Sequence, residues 1–330
     1  MAFDVRQAEE ADRPEVAALV REMIPGVDVT ARLRWMYETN PAGEALTWIA
    51  SEHGEIAGCT SYFPFMLTLD GQRVRAALGG DGYVRPKFRR RGLGGLLHEA
   101  ARSGMHESDI GCMYGAPGAM NVTPLKHGGS REVGHVARWA RPLRGAALGL
   151  PIAPVDQLVR GILRPRFVPH LEPMAPGDPR VDEVWAAFAP TIRLGAVRDA
   201  RFYTWRFLET PSQKEPAYVI VSHGRPVGAC SLEAMNGGKN IRIVDVMAIP
   251  GHWHACLAAI ARHAAETDAV TLDIKLMAVD GRRRQMWRAG FIERDAKPFL
   301  VVIPVDGDRR FVDPMRWFYC GADSDLDSLD

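Results

Sequence analysis

The stretch VRPKFRRRGLGGLLHEAARSGM, residues 84–105, decides how the chain is read. A β-rich run ends at Val84, and Pro86 bars further ladder pairing because it has no backbone donor. Three arginines (Arg89, Arg90, Arg91) and three glycines (Gly92, Gly94, Gly95) follow, as the helical pattern of Leu93–His106 begins. Such a turn presents several backbone N–H groups at a helix N-terminus, where the helix dipole adds to them, and so makes an anion site. Glycine at 92 and 94 leaves room for a diphosphate that a side chain would block, and the arginines supply charge-assisted bonds to phosphate oxygens. A merely solvated turn has no use for three glycines at a helix start, where each costs stability. No Gly-Lys-Ser/Thr is present, which excludes a P-loop, and the glycine spacing does not fit a dinucleotide fingerprint.

Outward from this stretch, the chain repeats itself. LRWMYETNP at 33–41 is matched by YTWRFLETP at 203–211, with Trp35 and Pro41 six apart, as are Trp205 and Pro211. His53-Gly54 and His223-Gly224 follow each proline by twelve residues, and Gly58 and Gly228 by seventeen, so the offset stays at 170 without a gap. A duplicated domain is the economical reading. In each copy a β-rich run (Leu46–Ser51, Ala217–Ser222), the His-Gly turn and a returning strand (Ile56–Phe65, Val227–Leu232) predict a hairpin. Gln72–Val84, helix Leu93–His106 and strand Cys112–Ala116 then correspond to Ile241–Ile249, Cys256–Glu266 and Val270–Ile274. Prolines at 142, 151, 154, 165, 169, 173, 176 and 179 mark the connection, with a short helix expected at Val155–Leu163.

Val-x-Pro-x-x-Arg-x-x-Gly-x-Gly resembles motif A of the GNAT N-acetyltransferase superfamily. The resemblance implies an α/β (α+β) fold of two tandem domains, each a mixed, mostly antiparallel sheet flanked by helices. The expected layout is an acyl-CoA-binding domain at 1–145, a linker at 146–180, a degenerate second domain at 181–305 and an aromatic, acidic tail at 306–330. The resemblance further implies that Arg89, Arg90, Arg91, Gly92, Leu93, Gly94 and Gly95 line the diphosphate of coenzyme A. It implies that the backbone at Tyr83 and Val84 meets the pantetheine arm. NVTPLKHG at 121–128 is similar to the family's cofactor-contacting helix, with Asn121 either facing coenzyme A or capping that helix. The tyrosine that many members use as general acid is absent; Pro124 or Leu125 takes its place. In the second copy Trp253, Cys256 and Ala258 replace Arg89, Gly92 and Gly94, so that copy is expected not to bind coenzyme A.

Acyl transfer to an amine needs a group, or a water relay, to take a proton. Asp81, eight residues before Arg89, is the candidate base. Asp245 stands at the corresponding place in a copy without the loop, so a turn-stabilising or substrate-binding role for Asp81 stays open. His98 and His127 are candidate cleft residues without a motif. Trp35, Tyr37, Trp205 and Phe207 read as core aromatics. Trp317-Phe318-Tyr319 reads as a docking segment before an acidic end containing Asp323, Asp325 and Asp327, which lacks the glycine and glutamate of a calcium loop.

The bulk numbers narrow the partners. A formal charge of +1 argues against nucleic acid or an anionic membrane as main partner, and no apolar run is long enough for a membrane span. Five widely spaced cysteines without Cys-x-x-Cys read as reduced thiols in a cytoplasmic protein, with no metal site expected. The reading is an acyl-CoA-dependent N-acyltransferase, with acetyl-CoA or another acyl-CoA as co-substrate and a small-molecule amine as acceptor; a homodimer stays open. A non-catalytic acyl-CoA-binding or protein-interaction module of the same fold is the alternative. An aminoacyl-tRNA-dependent transferase fits the charge poorly.

Overall fold

The computed structural model describes residues 3–149, 169–211, 216–295 and 299–324. The helix expected at Val155–Leu163, together with Asp325 and Asp327, lies outside the described residues. The first half runs β1 (Asp4–Gln7), α1 (Arg13–Met23), α2 (Val29–Arg32), β2 (Leu46–Glu52), β3 (Glu55–Leu69), β4 (Gln72–Val84), α3 (Leu93–Met105), β5 (Ile110–Gly115), α4 (Ala119–His127), β6 (Arg131–His135) and β7 (Ala137–Pro142). The second half repeats the order: β8 (His170–Pro173), α5 (Pro179–Phe188), β9 (Leu194–Ala196), α6 (Ala200–Tyr203), β10 (Ala217–Ser222), β11 (Arg225–Met235), β12 (Asn240–Ala248), α7 (Trp253–Ala265), β13 (Thr271–Leu276), α8 (Asp280–Arg288), β14 (Ile292–Glu293) and β15 (Phe299–Pro304). Both halves place a widened helical turn on the repeated aromatic block, at Leu33–Glu38 and Thr204–Leu208. Trp35, Tyr37, Trp205 and Phe207 are buried in it, as their spacing predicts. The two hairpins turn on His53-Gly54 and His223-Gly224. All four residues have positive φ (52°, 78°, 49° and 74°), as a two-residue hairpin loop demands.

The chain folds into two compact units whose limits differ from the expected layout. The first unit comprises residues 1–134, 298–316 and 324–330, and the second 135–297 and 317–323. The last strands of the halves are exchanged. Within the first unit the strand order is β1-β2-β3-β4-β5-β15-β6; in the second it is β14-β7-β13-β12-β11-β10-β8. Thus β7, placed by sequence in the first domain, pairs with β13, and β15 pairs with β5. Helix and strand periodicity cannot reveal this, because an exchanged strand keeps its own pattern of buried residues. Trp317, Phe318 and Tyr319 are buried, as expected of a docking segment, and belong to the second unit.

In each sheet the central pair, β4–β5 or β12–β13, is parallel and its other neighbours antiparallel. Helix α3 lies on the first sheet through Leu93, Leu97, Ala101 and Met105, spaced four apart, which pack with Trp48, Tyr62, Ala77 and Met113. Each leucine so buried contributes about 2 kcal/mol. Phe88 and Leu93, both buried, pin the chain on either side of exposed residues 89–92.

A chain ending at residue 145 lacks β15 and leaves β5 without its antiparallel neighbour. It is expected to show no cooperative thermal transition by circular dichroism. A transition matching that of the intact chain would contradict the exchange.

Candidate active site

The loop between β4 and α3 has the geometry its residues imply. Pro86–Phe88 forms one tight turn, and Gly92 caps α3 in the left-handed conformation, φ 78°. At the first turn of α3 the amides of Leu93 and Gly94 have no carbonyl one turn ahead to bond. A Cβ placed on Gly92, Gly94 or Gly95 would meet no protein atom within 4 Å. The last two glycines therefore serve no packing need of the protein; they keep the space in front of the helix N-terminus clear.

The three arginines divide. Arg89 donates from Nε to the Val84 carbonyl at 2.9 Å and lies over the Tyr83 ring. Arg90 is exposed, at φ 61°. Arg91 is engaged: its guanidinium bonds Glu52, at 2.9 Å from Nη1, and lies over the Phe3 ring. The same guanidinium holds the Glu52 carboxyl below the usual carboxylate range. Leu93 contributes backbone only, since its side chain is in the core. Asn121 is exposed near the start of α4, and its N–H bonds the Gly118 carbonyl at 2.9 Å.

Beside the loop the sheet opens. β4 and β5 pair from Arg75↔Ile110 to Leu78↔Tyr114 and then part; among the described residues Gly79, Gly80, Tyr83 and Val84 pair with β3 on the other side. This fork offers unpaired backbone groups to an extended ligand. Tyr83 and Val84, half-buried, lie along it.

Asp81 sits at the bulge of β4, where the register with β3 shifts, at φ 44°. Its side chain is 1% exposed and paired with that of Arg32, 3% exposed. Arg32 donates from Nε to Oδ2 at 3.1 Å and from Nη2 to Oδ1 at 2.7 Å, and the Tyr37 hydroxyl donates to Oδ2 at 2.8 Å. Tyr37 and Thr47 both bond Ser61. Burial and the adjacent carboxylate push the Tyr37 phenol well up. Burial, then Asp81, pushes the Cys59 thiol up to about 12, so that thiol is inert. Among the described residues no group of three His, Cys, Asp or Glu side chains is placed to hold a metal ion.

Residues 4–123 match the family described as "Acetyltransferase (GNAT) domain". The chain carries a GNAT domain. No curated protein matches the sequence significantly. Solved structures show the same fold across both halves. A probable N-acyltransferase from Enterococcus faecalis superposes with a TM-score of 0.70 at 12% identity, over 93% of this chain and 73% of that one. A GCN5-related N-acetyltransferase from Anabaena variabilis gives 0.68 at 15%, over 92% and 73%. The Saccharomyces cerevisiae N-myristoyltransferase with bound myristoyl-CoA gives 0.57 at 13%, over 91% and 82%.

The second unit repeats the GNAT architecture without the open loop. At α7, which corresponds to α3, the first residue is Trp253, and no arginine or glycine run precedes it. The Cys256 thiol fills the space beside Gly228, where a Cβ would lie 2.7 Å from Sγ. Asp245 is buried like Asp81. Arg198 Nε bonds both its oxygens, at 2.9 and 3.1 Å, and Arg198 Nη2 bonds Asp323 at 2.6 Å. Burial opposes the Arg198 charge, but the two carboxylates outweigh it and hold the guanidinium above its ordinary pKa. Arg32 was not among the residues singled out from sequence. The signal available was an aspartate at the same place in both GNAT copies, which required a buried cation in each.

Asp81→Asn leaves the buried Arg32 charge without its full partner and is expected to cost about 3 kcal/mol, read as a lower urea midpoint. An unchanged midpoint would remove the pair from the fold's supports.

Proposed function

We propose that the chain is an acyl-CoA-dependent N-acyltransferase that moves an acyl group, acetyl first among candidates, onto the amine of a small molecule by direct attack on the thioester. The GNAT fold is that of acyl-CoA-dependent N-acyltransferases in general. The observation that carries the reading for this chain is the left-handed Gly92 cap, with clear space over Gly92, Gly94 and Gly95, opening beside a split between two parallel strands. A diphosphate suits the loop and an extended arm suits the split.

In this reading the amides of Leu93 and Gly94 and the side chains of Arg89 and Arg90 take the diphosphate, and Gly95, whose N–H bonds the Gly92 carbonyl at 3.0 Å, keeps the approach clear. Arg91, already bonded to Glu52, braces the loop from the side. The backbone at Tyr83 and Val84 meets the arm and supplies a donor for the oxygen that becomes negative during attack. Asn121 lies on the facing helix α4. Asp81 holds the bulge that aims β4 at the loop, because both its oxygens are committed to buried donors; water then carries away the amine's proton. Five free, buried cysteines suit a reducing compartment and the cytoplasm as the place of action.

Calorimetric titration of coenzyme A is expected to give one site per chain. Arg89→Ala and Arg90→Ala should each weaken it about tenfold and Arg91→Ala less, with affinity falling as salt rises. Two sites per chain, or indifference to both arginines, would overturn the assignment. Thiol release from acetyl-CoA across an amine library tests turnover; tight binding without release would favour the non-catalytic module. In folded Asp81→Asn the pH–rate profile should keep its acid limb, whereas a catalytic base would take that limb with it.

A further inference from the structure

The strand fork of the first unit has a counterpart in the second, and there the chain fills it itself. Strands β12 and β13 pair from Asn240↔Thr271 to Ile243↔Ile274 and then part. Residues 317–323 run into the gap. Cys320 bridges Leu276 in the antiparallel sense, the Met277 N–H bonds the Tyr319 carbonyl at 3.0 Å, and the Phe318 N–H bonds the Leu194 carbonyl at 2.7 Å. Gly321 presses on β12, where a Cβ would lie 2.9 Å from the Val244 carbonyl oxygen. An extended ligand arm has no place left in this fork. What remains is its rim, formed by the starts of α7 and α8.

Two residues of that rim lie against Phe318, which is fully buried. Trp253, the first residue of α7, meets its ring edge-on, with centroids 6.3 Å apart. The Arg282 guanidinium, in the first turn of α8, lies over the same ring at 4.4 Å. Arg282 is half-buried, and among the described residues its guanidinium has neither a hydrogen bond nor an ion pair. Its nitrogens are not sealed from solvent. Burial, then the neighbouring Arg198, pushes this group down to about 10, with Cys320 opposing them, so it is still charged at neutral pH. The nearby carboxylates of Asp245 and Asp323 are bonded to Arg198. A cation at a helix N-terminus also opposes the helix dipole. A partly desolvated charge without a counter-ion is unfavourable, and a guanidinium cannot shed its proton to relieve that. The adjoining arginines differ: Arg283 is paired with Glu293, and Arg284 is exposed. The approach to Arg282 is open, since Gly281 is exposed and a Cβ there would meet no atom within 4 Å. Val279, the N-cap of α8, makes no side-chain cap, and the amides of Asp280 and Gly281 have no carbonyl one turn ahead to bond.

We infer that the rim between α7 and α8 is a second ligand site, where Arg282 and the first amides of α8 hold an oxyanion, the phosphate or carboxylate group of a small molecule. The guanidinium supplies the charge and a planar set of donors, and the amides supply the positive end of the helix dipole. The Phe318 ring face holds the guanidinium from below. Trp253 bounds the site on the α7 side. The ligand is small because residues 317–323 already fill the fork that an extended arm would need. The site lies in the second unit and does not rest on the acyl-CoA reading.

The test uses inorganic phosphate, with chloride at the same ionic strength as reference so that general screening cancels. Phosphate also suits the glycine loop of the first unit, so the full chain carries Arg89→Ala and Arg90→Ala throughout. In this parent, phosphate is expected to bind by calorimetry and to raise the thermal midpoint by about 3 °C. Adding Arg282→Met should weaken binding about tenfold and abolish the rise. Its midpoint in chloride should stay level or climb, because an unpaired charge has gone. Arg282→Lys should bind more weakly than the parent and more tightly than Arg282→Met, and Arg284→Gln should bind as the parent does. Acetate in place of phosphate separates the sources: a rise with phosphate alone points to a phosphoryl ligand, and a rise with acetate as well to a carboxylate. No response to either anion, or a response that survives Arg282→Met, would remove the site. A midpoint in chloride several degrees lower in Arg282→Met would also count against it, by making the guanidinium a support of the fold. Should Arg282→Met fail to fold, Arg282→Gln decides by the same readouts.

Discussion

A buried carboxylate gripped by a buried guanidinium sets the path of the central strand, and the candidate site depends on that path. Asp81 takes a left-handed backbone conformation at the bulge of β4, which few non-glycine residues tolerate. Its carboxylate is tied to Arg32 on α2 and to Tyr37 in the widened turn, so the strain is offset by three hydrogen bonds in a dry setting. β4 has already parted from β5 after Leu78, three residues before the bulge. The course of β4 along the fork, the Val84 carbonyl that anchors Arg89, and the entry into the glycine loop all follow from where that strand is bent. Asp245 and Arg198 repeat the arrangement in the second unit with Asp323 as an additional acid, which fits a role in the fold common to both copies.

Much of this was legible in the sequence, for a physical reason. The loop's glycines and arginines are local chemistry, and the hairpins turn on His-Gly pairs whose left-handed conformations only a short list of residues permits. Strands β4 and β10 end where turn residues say they must. What could not be read depends on partners distant in the chain. Arg32 meets Asp81 across 49 residues, and Tyr62 meets His98 across 36, with no periodicity to announce either. Arg91 matched the phosphate-binding pattern as well as Arg89 did, yet its guanidinium is held by Glu52 on β2. The exchange of β7 and β15 was illegible for a different reason. Two related sheets offer equivalent edges, and a strand's own pattern does not say which sheet completes it.

The two units differ at the start of the same helix in a way that bears on stability. Glycines at 92, 94 and 95 weaken the start of α3 and bury nothing. In the second unit the corresponding positions carry side chains, and Cys256 and Ala258 are buried in α7. Replacing open glycines by packed residues adds apolar burial and helix propensity together, so the closed form is the more stable of the two. The first copy keeps three costly glycines, a forgone stability that the proposed diphosphate site accounts for.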